Sequence, residues 1–115
     1  LSGLAMATAL FESVGCAACH VPELEGTAGP VRAYTDLLLH DVGTTRLAVD
    51  GQPGEIRTPP LWGISASAPY LHDGRAVSLE AAIAAHAGEA TETTSAYLAL
   101  SEDERALVIT LLRSL

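Results

Sequence analysis

Two cysteines three positions apart with a histidine directly behind them, Cys16-Ala17-Ala18-Cys19-His20, restrict this chain more than any other feature of it. That order is the attachment sequence for c-type haem. Each thiol adds to one vinyl group of the macrocycle, and the next residue supplies an imidazole nitrogen as an axial ligand to iron. Other uses of the same residues fit less well. A disulfide between Cys16 and Cys19 would close a very tight loop and leave His20 without a role. A thioredoxin-like C-x-x-C wants a strand before it and a parallel sheet around it, whereas the residues preceding Cys16 look helical. A zinc site needs two further suitable ligands, and the chain has no other cysteine. The expected cofactor is one covalently attached haem c.

A chain of 115 residues is expected to be a single mono-haem domain over 1–115. It buries a limited fraction of its surface, so a large apolar macrocycle would supply much of its core. Aromatic residues at 4% are too few to fill that core in the usual way. The net charge of -8 argues against nucleic acid as a partner, because phosphates demand Lys and Arg. It favours a redox partner with a basic or neutral face, though acidity that only keeps the chain in solution reads equally well. No run reaches the eighteen or more apolar residues of a membrane span. There is no initiator Met, basic n-region or signal h-region, so a mature or trimmed form is expected. Covalent haem attachment in bacteria occurs outside the cytoplasm, which points to a periplasmic or otherwise extracytoplasmic location.

Residues 2–14 read as a helix, with Ser2 as N-cap and Leu4, Ala7, Phe11 and Val14 on one face. Gly15 stands where a helix stops. The periodicity then disappears over 21–77, a stretch that holds all six prolines. A loop of that length is unusual in a compact domain, but a haem gives it an apolar surface to wrap. Ser78 caps an expected helix over 79–87 that ends at Gly88, with Leu79, Ile83 and His86 on one face. Ser101 and Glu104 form a capping box for a last helix to about Arg113, striped by Leu107, Leu111 and Leu115. Helix, haem turn, long loop, helix, helix is the plan of class I cytochrome c. The expected fold is therefore all-α, with few helices around one covalent haem.

Several ordered motifs carry a more specific resemblance. Tyr34-Thr35-Asp36-Leu37-Leu38-Leu39-His40-Asp41-Val42-Gly43, Arg57-Thr58-Pro59-Pro60-Leu61-Trp62-Gly63, and Ala68-Pro69-Tyr70-Leu71-His72-Asp73-Gly74-Arg75 followed by Ser78-Leu79-Glu80-Ala81-Ala82-Ile83 resemble the bacterial di-haem oxidoreductases, sometimes labelled thiol oxidoreductases. The last blocks also resemble the C-terminal haem domain of di-haem cytochrome c peroxidases and of the related tryptophan-modifying maturation enzymes. Members of that family carry a second C-x-x-C-H domain on the N-terminal side, and this chain holds one such motif. The resemblance therefore implies the electron-transfer half of such a protein, with a second haem domain or another redox protein as partner, and self-association of small acidic haem modules as a further possibility.

Four residues compete for the far side of the iron: Met6, His40, His72 and His86. Met6 precedes the haem motif, where a class I fold does not deliver a sixth ligand, and a helix Met more often packs than ligates. His86 lies 66 residues after His20, within the span over which class I domains return to the distal side. In the peroxidase relatives the helix after the P-Y-x-H-D-G block carries a distal Met, and the resemblance makes His86 the matching position. The expected metal ligands are His20 and His86, against the plainer reading of His86 as a partly exposed helix histidine. By resemblance His72 sits near the haem edge, but it serves equally well to order a turn with Asp73 and Gly74. His40 reads as loop architecture or a docking-face contact. Arg57 suits a haem propionate, since a guanidinium pairs a carboxylate bidentately. Pro59, beside Pro60, has a fixed backbone that can lie on the haem face without an unsatisfied N–H. Trp62 donates to a propionate, carries tunnelling between haems, or simply packs.

Two functions follow from different classes. One is a relay, a low-spin six-coordinate haem that accepts and passes single electrons; two imidazoles give it a lower potential than a His/Met pair. The other is catalytic, a peroxidase-type haem that needs His86 off the iron and an acid–base group beside the peroxide. A gas- or redox-sensing module is a third, less supported possibility. No catalytic residue is assigned by the sequence.

Overall fold

The computed structural model describes residues 2–43 and 54–115. The first helix, α1, spans Ser2–Val14 as expected, with Ser2 inside the helix rather than capping it. Gly15 ends it at φ 109, a backbone angle that a residue with a Cβ adopts only under strain. The chain then enters a 3₁₀ turn, Cys16–Ala18, so the haem motif sits on the end of a rigid helix.

The stretch expected to be irregular contains two small antiparallel hairpins. Strand β1, Leu24–Gly26, pairs with β2, Gly29–Val31, in the register Leu24↔Val31 and Gly26↔Gly29. Strand β3, Leu39–His40, pairs with β4, Ile56–Arg57, through Leu39↔Arg57 and His40↔Ile56. The second pairing is prolonged by Thr58 N–H to the Leu38 carbonyl at 3.0 Å and Leu61 N–H to the Ala33 carbonyl at 2.9 Å. Thr35, fully buried, donates to the Thr58 carbonyl at 2.6 Å and accepts from the Leu37 amide at 3.0 Å. Residues 44–53 of the same stretch lie outside the described residues.

The all-α expectation is therefore wrong: the described residues are 48% helical and 12% strand, a mixed α and β fold. Backbone donors and acceptors in a half-buried loop must be paired, and here they pair across the loop. Ladders of two or three residues are too short to leave the period-2 pattern by which a strand is recognised.

Helix α2, Leu79–Ala84, is capped by Ser78, whose Oγ accepts from the Ala81 amide at 3.0 Å. It stops three residues before the expected end at 87. Beyond it the backbone turns extended at Ala87, whose N–H bonds the Val42 carbonyl at 2.7 Å, while Glu89 N–H bonds the Asp41 carbonyl at 2.8 Å. Pairing with residues 41–42 competes with the helix and wins. His86 thus lies in the turn after α2 rather than on a helical face.

Helix α3, Thr91–Ala99, was not foreseen. Its sequence, TETTSAYLA, is rich in weak helix formers and has no apolar stripe; Thr94 and Tyr97 alone are buried. Helix α4, Glu102–Ser114, has the expected capping box: Ser101 Oγ accepts from Glu104 N–H at 3.1 Å, and Glu104 Oε1 accepts from Ser101 N–H at 2.9 Å. The core lies where α1 crosses α4. Ala7 and Phe11 meet Val108, Ile109, Leu111 and Leu112, joined by Tyr34, Leu61, Leu79 and Tyr97. Phe11 and Tyr34 pack edge to face with centroids 5.8 Å apart. Burying a side chain such as Val108, fully enclosed, contributes about 1.5–3 kcal/mol. This core holds α1 fixed, and with it the turn that carries the two thiols.

Candidate haem site

Cys16 and Cys19 are both free thiols, half-buried on the turn after α1, and are not joined to each other. The turn is closed by His20 N–H to the Cys16 carbonyl at 2.9 Å. Burial pushes the Cys16 thiol up to about 11 and raises that of Cys19, the latter reinforced by the nearby Asp36 and Glu89 carboxylates.

His20 is held by its ring. Its Nδ1–H donates to the Tyr34 carbonyl at 2.9 Å, which places the lone pair on Nε2. Tyr34 adopts a left-handed backbone, φ 57, while its own side chain is locked in the core. Such a conformation costs a non-glycine residue about 1–2 kcal/mol and is sustained by the packing around it. Burial lowers the His20 pKa, favouring the neutral ring that metal coordination requires.

His86 is held the same way. Its Nδ1–H donates to the Ala82 carbonyl at 2.6 Å, again leaving Nε2 with the lone pair. The buried Thr94 hydroxyl fixes the adjoining backbone by donating to the His86 carbonyl at 2.6 Å. The two rings are close enough that a charge on His86 opposes protonation of His20. The fold thus sets His20 and His86, far apart in sequence, within electrostatic reach of each other, each ring tethered at Nδ1.

His40 is engaged differently. Its Nε2 meets Asp36 Oδ2 at 2.7 Å and its Nδ1 meets Glu89 Oε1 at 2.8 Å, so both ring nitrogens donate to carboxylates. Those two bonds raise the His40 pKa, Asp36 contributing first. Partial burial pushes Asp36 up, but the Leu38 amide, His40 and the Thr58 hydroxyl outweigh it and hold the carboxyl below the usual range. Glu89 is lowered by the Asp41 amide and by His40. With both nitrogens occupied, His40 is unsuited to iron. A Cys19, Asp36 and His40 group lies within 4.8 Å, but the thiol is the one the haem motif uses.

The remaining sequence candidates are exposed and spread over several elements. Met6, on α1, is 58% exposed, so it does not pack in the core. Arg57 is exposed on β4 and donates to the Leu37 carbonyl. Pro59 is exposed just beyond that strand. Trp62 is also 58% exposed, which excludes its reading as core packing; it edges an apolar groove of about 250 Å³ with Leu24, Val31, Ala33, Leu37 and Pro60. His72 is exposed in the turn closed by the Tyr70↔Ala76 bridge, beside an Asp73–Arg75 ion pair at 3.4 Å. Sequence reasoning missed Tyr34, Ala82, Asp36, Glu89 and Thr94. Asp36 and His40 are spaced i,i+4, the one visible signal among them; Tyr34 and Ala82 act through main-chain carbonyls and leave none.

The donor set fits a covalently held haem: two free thiols on one turn, the His20 imidazole with Nε2 available, and the His86 imidazole likewise tethered at Nδ1. A chain of this kind is a haem-binding redox protein. It belongs to the di-haem oxidoreductase family, to which peroxidase activity is provisionally ascribed, and the family pattern matches residues 2–115. Comparison with curated proteins and with solved structures finds no match. Among the described residues no helix is long and apolar enough to cross a membrane.

Proposed function

We propose that this chain is an electron-transfer module holding one haem c through Cys16 and Cys19, with His20 and His86 as its axial ligands. The observation that carries the reading is the matched tethering of the two imidazoles. Each has its Nδ1–H on a main-chain carbonyl and its Nε2 unengaged among the described contacts, beside two free thiols. A haem bound here supplies a one-electron iron couple. The chain's own part is to hold both rings oriented, so that neither has to reorganise when the iron changes charge. Arg57, Pro59, Trp62 and His72 are assigned to the periphery of the same group, Arg57 toward a propionate.

The partner is a second haem domain or a separate redox protein, docking through a basic or neutral face against this acidic chain. Covalent attachment of haem would favour a periplasmic or otherwise extracytoplasmic location. A peroxidase reading draws support from the family, but it requires an open coordination position and an acid–base group beside it. The tethered His86 argues for closure. The test is the optical spectrum of the haem-loaded chain. Reduced protein should show sharp low-spin bands and no carbon monoxide adduct, and His86→Ala should convert it to high-spin. An unchanged spectrum in H86A refutes the ligand assignment, and rapid peroxide turnover by the isolated wild type refutes the relay.

A further inference from the structure

Helix α2 ends at Ala84, and His86 stays tied to it by its N–H on the Ile83 carbonyl at 3.1 Å and its ring on the Ala82 carbonyl. The residues that follow His86 are anchored from across the molecule. Ala87 and Glu89 give their amides to the Val42 and Asp41 carbonyls at 2.7 and 2.8 Å. The Glu89 carboxylate reaches back over the same crossing: Oε2 accepts from the Asp41 amide at 2.7 Å and Oε1 from His40 Nδ1 at 2.8 Å. His40 is in turn held at its other nitrogen by Asp36. Asp36 is fixed by the Leu38 amide at 2.8 Å, in the segment that follows the Tyr34 tether of His20.

A path thus links the two imidazoles, through hydrogen bonds from His20 to Tyr34, from Asp36 to His40 and from His40 to Glu89, and through the main chain from Tyr34 to Asp36 and from Glu89 to the turn of His86. We propose that Glu89, acting through His40 and the Asp41 amide, is a positioning residue that sets where His86 stands relative to His20. The proposal rests on His86 being the distal ligand. A bridge built from side chains 49 residues apart has no function in the secondary structure of either segment. What it does is register one loop against the other, and those loops carry the two axial imidazoles. The groups facing His40 are Asp36 and Glu89 from the two segments, with the Cys19 thiol and the His20 ring on the haem side. Loss of the carboxylate removes an acceptor from a charged donor, a change that ordinarily shifts a local equilibrium by about tenfold or more.

The test uses the haem-loaded chain and two readouts, the ferric spin state and the rate of cyanide binding, which requires His86 to leave. Glu89→Ala should admit a high-spin fraction and bind cyanide about tenfold faster. Glu89→Gln should restore both values toward wild type, since its amide oxygen still accepts from Asp41 and its NH₂ can donate to neutral His40. Glu92→Ala, an exposed carboxylate on α3, removes the same charge and should behave as wild type. H86A that stays low-spin removes the ligand assignment and this proposal with it. H86A that turns high-spin while E89A matches wild type overturns the positioning role alone, as does an equal effect in E92A or no rescue in E89Q. If E89A fails to fold or take up haem, His40→Ala carries the same test, because Glu89 then still accepts from Asp41. Unchanged spin state and cyanide rate in H40A overturn the proposal.

Discussion

Gly88→Ala tests the crossing of residues 41–43 and 87–89 directly. Gly88 has φ 56, where an L-residue pays about 1–2 kcal/mol. A Cβ added there would stand 2.4 Å from the Asp41 carbonyl oxygen and 3.1 Å from its carbon. That is about 1 Å short of ordinary contact, and the obstacle is backbone, which has no rotamer to change. The two segments must separate, which breaks or lengthens the hydrogen bonds of the Ala87 and Glu89 amides, about 1 kcal/mol each. Together the loss should be about 3–4 kcal/mol, a large part of the 5–15 kcal/mol that holds such a chain folded. Gly63→Ala is the internal standard. It has a similar φ, 68, but open space around the added carbon, so it reports the backbone term alone. Urea denaturation followed by circular dichroism, on haem-loaded wild type and both variants, measures the difference. If G88A is no less stable than G63A, the close approach is wrong and the anchoring of His86 from residues 41–42 goes with it.

Two further outcomes follow from the same region. Thr94→Val keeps the shape of a buried side chain but strips the hydroxyl that donates to the His86 carbonyl, which should cost about 1–2 kcal/mol in urea denaturation and weaken low-spin ligation; a variant equal to wild type in both would mean that the bond holds nothing in place. The Asp36, His40 and Glu89 array should also give stability a pH optimum. His40 is raised above its ordinary 6.5, so its contribution is complete below that value and is lost as pH rises through the raised one. Asp36 and Glu89 are lowered from 3.8 and 4.5, so theirs are complete above those values and are lost as pH falls through the lowered ones. The array is strongest between 4.5 and 6.5, and the stability gap between wild type and His40→Ala should be greatest there, about 1 kcal/mol after solvent screening. A gap that does not vary with pH would refute the array.

What the sequence disclosed was set by the length scale of each signal. Helix α1, the start of α2 and the capping box of α4 are written in side chains within one or two turns of each other, and all three were legible. The haem motif is still more compact. The hairpins were not legible, because their ladders are shorter than any period they would display. Helix α3 was missed because its threonines neither favour a helix nor mark a face; packing of Thr94 and Tyr97 against the core stabilises it. The all-α expectation failed on the hairpins alone. At the site, Cys16, Cys19, His20 and His86 could be nominated from residue type, while the groups that orient them could not. Glu89 lies three residues past His86 and meets His40 by a crossing that only the folded chain defines.

The tethers on His20 and His86 end on main-chain oxygens, at Tyr34 and Ala82. A peptide carbonyl is present whatever side chain stands at the position. Ring orientation at the haem site is therefore insulated from substitution at both positions so long as the backbone path is kept. At 82 that path is an ordinary helix, tolerant of many residues of small size. At 34 it is a left-handed turn in a packed core, and tolerance there is narrow. One tether thus rests on a position that tolerates substitution and the other on one that does not, and a change at 34 should disturb His20 more than a change at 82 disturbs His86.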